Sequence, residues 1–130
     1  MVILEHARPD GSFHYDWMLA RSEQVEAAER ALLTFRVNLR VDEIERGVAD
    51  AARLPDHRGR YLWFEGDLGG NRGVVRRVAE GLCTIQRDIP GSAVARFRWA
   101  VGGWRTLTAS AICGPSGMPD AWLLEIEPSP

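Results

Sequence analysis

The chain contains no lysine. All sixteen of its basic residues are arginine, set against eighteen acidic residues, and the formal net charge is −2. That balance excludes a molecule that coats nucleic acid by bulk positive charge. It leaves room for a local arginine cluster, because a guanidinium forks onto phosphate in a way an ammonium cannot. Cysteine is scarce: Cys83 and Cys113 form no zinc-ribbon spacing, and each lies in a strand-like run. Buried free thiols are therefore expected, with neither a disulfide nor a cysteine metal site. No apolar run approaches the ~20 residues that cross a bilayer as a helix. The amino-terminal Met1-Val2-Ile3-Leu4-Glu5-His6 lacks the basic and long apolar regions of a secretory signal. The expected location is cytoplasmic, with no membrane partner. Repeats, low-complexity stretches and linkers are also missing, so the 130 residues are expected to form a single domain, 1–130.

What is present is a series of short strand-like runs punctuated by glycine and proline. They fall at 1–6, 13–21, 31–37, 60–66, 73–79, 82–88, 93–101, 104–112 and 121–127. Gly81, Pro90-Gly91, Gly102-Gly103 and Gly114-Pro115-Ser116-Gly117 separate the later ones. Residues 22–30 read either as a short helix capped by Ser22 or as a charged excursion. Ile44, Val48 and Ala51 recur at helical spacing, which predicts a short helix over 42–52. The fold class expected is mainly β: a small antiparallel barrel or sandwich with one or two short helices. The last strand alternates, with Trp122, Leu124 and Ile126 inward and Glu125 and Glu127 outward. In 93–101, Phe97 and Trp99 lie opposite Arg96 and Arg98. The five tryptophans read mostly as packing.

One stretch carries chemistry. His6 to Asp16 holds two of the three histidines and ends in His14-Tyr15-Asp16. On a strand, Phe13, Tyr15, Trp17 and Leu19 share one face and His14, Asp16 and Met18 the other, with same-face neighbours roughly 6.5–7 Å apart. Arg8-Pro9-Asp10-Gly11-Ser12 has turn composition, and a hairpin there folds His6 back towards His14 and Asp16. Two imidazoles and a carboxylate suit a divalent ion such as Mn, Fe or Zn. Taken singly, a histidine on a strand is more often a hydrogen-bonded structural residue. The third histidine, His57, sits in Asp56-His57-Arg58-Gly59-Arg60-Tyr61, where a continuous strand would put His57 and Tyr61 on one face.

These motifs together resemble the 3′-phosphoesterase domain of bacterial DNA ligase D and its small stand-alone relatives. The resemblance rests on His6 followed by His14-Tyr15-Asp16, on Asp56-His57-Arg58-Gly59-Arg60-Tyr61 leading into Phe64-Glu65-Gly66, and on the glycine-rich turn before Val74-Val75-Arg76-Arg77. It covers most of the first 80 residues; the last third fits as generic barrel strands. It implies a small β-barrel with a metal site on its concave side. The implied cofactor is a divalent metal, Mn first, with Zn or another ion possible. The implied activity removes ribonucleotides and phosphates from nucleic-acid 3′ ends during DNA end repair. By motif, His6, His14 and Asp16 become metal ligands, and His57 and Tyr61 contact the scissile phosphate. Partners would be 3′ ends and separate end-joining proteins, since the chain contains no ligase or polymerase module.

The chain departs from that pattern in three places. Seven residues separate His6 from His14 where the family usually has five. Met18 stands where the ligase D enzymes carry an arginine, and Arg53 is poorly spaced to supply the second phosphate-binding arginine. Arg72 and Arg76 are the candidate replacements. Two other functions stay open at this point: a weak or inactive relative that binds nucleic acid or a repair partner, and an Fe(II) enzyme using His14, Asp16 and His57.

Overall fold

The structure, a computed structural model, describes residues 1–112 and 121–130. Nine strands appear among the described residues: β1 (Val2–Ala7), β2 (Phe13–Ala20), β3 (Arg30–Val37), β4 (Gly47–Arg58), β5 (Gly66–Asp67), β6 (Val74–Ile89), β7 (Ser92–Trp99), β8 (Arg105–Ala111) and β9 (Ala121–Pro128). The order is β1-β2-β3-β4-β9-β8-β7-β6, and β6 also pairs with β1, so eight antiparallel strands close into a ring. The two-residue β5 hangs on the start of β6.

Closure depends on β6 having two partners. Residues 74–80 pair with β1 and residues 81–89 with β7. The handover falls at Gly81, where a Cβ would lie 2.2 Å from the Arg98 carbonyl oxygen. Gly81, expected to separate two strands, instead lets one 16-residue strand pass close to its neighbour.

An eight-stranded ring has an interior just wide enough for side chains to fill. Trp17, Leu19, Leu33, Phe35, Phe97, Trp99, Leu107, Trp122, Leu124 and Ile126 fill it. Each such fully buried large side chain contributes on the order of 1.5–3 kcal/mol. The ring of Trp17 meets Phe97 edge-on at 5.1 Å, and Phe35 lies 5.8 Å from Trp122. The alternation expected for β9 and for Phe97 and Trp99 holds. Arg96 and Arg98 face outward, where both stack on Trp104. Phe13, expected on the core face, is largely exposed at the rim.

Two expected elements are corrected. Residues 47–58 are strand, and the helix expected over 42–52 is replaced by a single 3₁₀ turn, Val41–Glu43. Val48 is exposed, whereas Ala49 and Ala51 pack inward. The period there is two, and the helical spacing of 44, 48 and 51 is coincidental. The strand expected over 60–66 is instead a 3₁₀ turn, Gly59–Leu62, followed by irregular chain. Residues 22–29 form neither helix nor strand, in line with the charged-excursion reading, and the Ser22 hydroxyl donates to the Gln24 carbonyl at 2.9 Å. Cys83 is a half-buried free thiol whose pKa burial pushes up. Cys113 lies outside the described residues. No helix among the described residues is long and apolar enough to cross a membrane.

The barrel is apolar on part of its outside as well. Val2, Leu4, Met18, Leu32 and Val75 form a second apolar cluster on the face opposite the interior, and Tyr61, Leu62, Phe64 and Leu68 pack over it. Residues 59–73 thus form a flap across β1, β2 and β6. Burying a large apolar patch on the outside of a barrel creates a sheltered space between wall and flap.

Candidate metal centre

The hairpin between β1 and β2 puts His6 directly opposite His14, and Asp16 opposite Leu4. The seven-residue spacing is therefore absorbed by the turn. Within it Arg8 N–H donates to Ser12 O at 2.8 Å, and Asp10 Oδ1 accepts from both the backbone and the hydroxyl of Ser12. His6, His14 and Asp16 all lie on the outer face, under the flap, and not on an inner concave face. His14 and Asp16 are each only 4% exposed.

His6 Nδ1 lies 3.2 Å from His14 Nε2, which lies 3.3 Å from Asp16 Oδ2. One ligand atom from each residue falls within 4.8 Å of the other two. The two short edges match the roughly 3.0–3.5 Å between neighbouring ligands around an ion with bonds near 2.1 Å.

The flap sets the protonation of His6. Its Nε2 is 2.7 Å from the backbone oxygen of Arg72. A carbonyl only accepts, so Nε2 carries the proton and Nδ1 presents a lone pair to His14. Ligand histidines are typically held this way, the outward nitrogen donating to a carbonyl. Arg72 reaches this position through a tight turn in which Gly73 has φ +101°, and a Cβ on Gly73 would meet the Ala7 oxygen at 2.1 Å. Only glycine fits between flap and β1 there.

His14 Nε2 stands between His6 Nδ1 and Asp16 Oδ2, within hydrogen-bonding distance of both. A divalent cation would take the place of a proton there. Asp16 Oδ1, also buried, has no hydrogen-bond partner, and Arg36 Nε stands 3.5 Å away. Burial is the largest influence on Asp16 and raises its pKa. The hydrogen bond and charge of His14, with the charges of Arg36 and His57, outweigh it, so the carboxyl sits below its usual value. Two imidazole nitrogens and an ionised carboxylate, one of whose buried oxygens accepts no hydrogen bond, fit a divalent metal of the Mn or Zn type.

In front of the cluster lies a cavity of about 540 Å³, lined by His6, Asp16, His57, Tyr61, Arg72 and Arg8 among others. His57 and Tyr61 reach it from different elements and not along one strand. His57 comes from the end of β4, which the Arg21–Asp56 ion pair (2.6 Å) ties to the end of β2. Its Nδ1 donates to the Pro55 oxygen at 2.9 Å, which leaves Nε2 as the reactive nitrogen. Tyr61 comes from the 3₁₀ turn, which docks on the 22–29 excursion: Gly59 N–H donates to Glu29 O at 2.8 Å, and Arg60 N–H to Ala27 O at 3.0 Å. A Cβ on Gly59 would lie 2.3 Å from the Glu26 oxygen. The two rings then meet edge-on at 5.8 Å.

Of the residues picked out from the sequence, His6, His14, Asp16, His57, Tyr61 and Arg72 gather at one site. Arg72 belongs to it, with its guanidinium donating to the Gly69 and Leu68 carbonyls. Arg76 does not. It lies opposite Glu5, on the other face from the neighbouring His6–Val75 pair, and bonds Glu5 at 3.3 Å. Arg53 is engaged by Asp88 and Trp122. The ligand atoms that converge include those of His6 and not those of His57, unlike the set required by the Fe(II) reading. The residue overlooked is Arg36, the cross-strand partner of Asp16. Its place beside Asp16 follows from the β2–β3 register, which neither segment of the sequence carries alone. With Met18 buried in the outer cluster, Arg36 supplies the positive charge beside the carboxylate. The sequence matches no protein-family model and no curated protein.

Proposed function

We propose that this protein is a metal-dependent phosphoesterase acting on nucleic-acid 3′ ends, removing a 3′-phosphate or 3′-ribonucleotide in DNA end repair. The observation that carries the reading is that His6 and Asp16 of the His6–His14–Asp16 ligand set line the same cavity as the His57–Tyr61 pair. The resemblance to the ligase D phosphoesterase domain, which rests on those same residues, supports it.

His6, His14 and Asp16 would hold the ion, most simply Mn. When bound, such an ion stabilises charge developing on a phosphate oxygen and lowers the pKa of a coordinated water. The protein's own groups do the rest. His57 Nε2 can give a proton to a leaving oxygen or take one from water, since imidazole changes charge near neutral pH. Tyr61 donates a hydrogen bond to a phosphate oxygen. Arg8 and Arg72 offset Asp10 and Asp16 on the cavity wall, so a bound cation would tip its balance towards a phosphate.

The direct test is turnover of a 3′-phosphorylated primer with and without manganese. Release of phosphate that requires manganese and stops with EDTA is expected; equal turnover after chelation would defeat the reading. Tyr61→Phe should lower kcat about 10- to 100-fold, the worth of one hydrogen bond to a charged group. Manganese affinity, measured by titration calorimetry, should change far less. The opposite pattern would make Tyr61 a packing residue only.

A further inference from the structure

The cavity at the metal centre has a neighbour. Beyond His57 and Tyr61 opens a second hollow of about 280 Å³, walled also by Arg30, Pro55, Arg58 and Arg72. Three guanidinium groups line it and no carboxylate does. His57, Tyr61 and Arg72 belong to both hollows, so the two share a wall.

Arg30 and Arg58 are direct cross-strand partners in the β3–β4 ladder. Like charges placed so are destabilising. Three other arginines nearby are matched with acids: Arg21 with Asp56 and Asp88, Arg53 with Asp88, Arg36 with Asp16. Among the described residues Arg30 and Arg58 have no such match, and Arg30 reaches only the Asp56 carbonyl, at 3.4 Å. The carboxylate of Asp56 is already taken in bidentate fashion by Arg21. Solvated surface arginines have no need to face each other across a ladder beside a hollow. An anion between them would turn a repulsive pair into a chelating one.

We propose that Arg30, Arg58 and Arg72 form a phosphate subsite next to the metal centre, and that it takes an internal phosphodiester of the strand whose 3′ end lies at the metal. The proposal rests on the phosphoesterase reading for what fills the larger cavity. It narrows the substrate class to a polynucleotide end, in preference to a free nucleotide. Arginine–phosphate bonds of this kind hold backbone and carry no base preference. They also make affinity salt-dependent.

The test compares the native protein with R30Q/R58Q, using R96Q/R98Q as a charge-matched control on the strand β7. Binding of a short 5′-labelled single-stranded oligonucleotide is followed by fluorescence anisotropy over a salt series. R30Q/R58Q should bind about tenfold more weakly, with a salt slope flatter by roughly 0.7 for each phosphate no longer neutralised. Its melting temperature should equal or exceed that of the native protein, because a like-charge pair has gone. In turnover, its KM should rise about tenfold more for a 3′-phosphorylated oligonucleotide than for a nucleoside 3′-monophosphate, with the effect in KM and not in kcat. Unchanged affinity and slope would overturn the subsite, as would an equal weakening in R96Q/R98Q. An equal rise in KM for both substrates would overturn it too. A native protein that turns over neither substrate would sink the phosphoesterase reading instead, and the binding comparison would still decide the subsite.

Discussion

His14→Ala is expected to abolish manganese uptake and to lower turnover of a 3′-phosphorylated primer about a thousandfold or more. The magnitude follows from the several kcal/mol that a metal ion contributes to stabilising transition-state charge, at about 1.36 kcal/mol for each tenfold in rate. His14 is the central member of the cluster, within 3.3 Å of both other ligand atoms, so no pair of the remaining groups replaces it. Asp16→Ala should do the same by removing the only carboxylate of the converging set. Neither residue belongs to the interior cluster, so the barrel should persist, with an unchanged far-ultraviolet circular dichroism spectrum. Metal content by elemental analysis, read beside the rate, checks the claim. Full manganese loading in either variant would show that the ion sits elsewhere.

The second large effect is expected at His57. His57→Ala should cost about 10²- to 10⁴-fold in kcat, the usual worth of a positioned acid or base, and should leave manganese affinity near that of the native protein. The separation of the two effects is the informative part. The pH–rate profile should also lose one limb. An unchanged profile with a small drop in rate would reduce His57 to a wall of the cavity. Because Nδ1 is held by the Pro55 carbonyl, a glutamine here cannot both keep that bond and move a proton.

Much of this arrangement could be read from the chain, and the reason is periodicity. In β2 the odd positions Trp17 and Leu19 are large and apolar while His14 and Asp16 hold the even ones, and a strand sends those sets to opposite faces. The turn residues from Arg8 to Ser12 then fix the hairpin that pairs His6 with His14. What failed was reading where apolar means interior. Tyr61, Leu62 and Phe64 look like strand residues because they are aromatic and apolar, yet they pack half-buried against an outer patch, on a turn and the irregular chain after it. Likewise Ile44, Val48 and Ala51 fit a helical period by accident: Ile44 ends a 3₁₀ turn, and the other two lie in a strand whose alternation is hidden by small alanines. Gly81 read as a break because composition cannot tell a turn glycine from one under a neighbouring backbone. Arg36 and the Arg30–Arg58 pair were out of reach for a different reason. Their meaning depends on which residue lies across the ladder, and register between distant segments is not written in either segment alone.

The flap laid over the outer wall of β1 and β2 has a consequence for how this protein can change. Neighbouring positions of a single strand answer to separate demands, with Trp17 serving the interior and Asp16 the candidate metal centre. Hydrophobic exchanges at Leu19 or Leu33 would tune thermal tolerance while His6, His14 and Asp16 stay where they are. Activity and robustness become two traits that selection, or an engineer, can adjust one residue at a time.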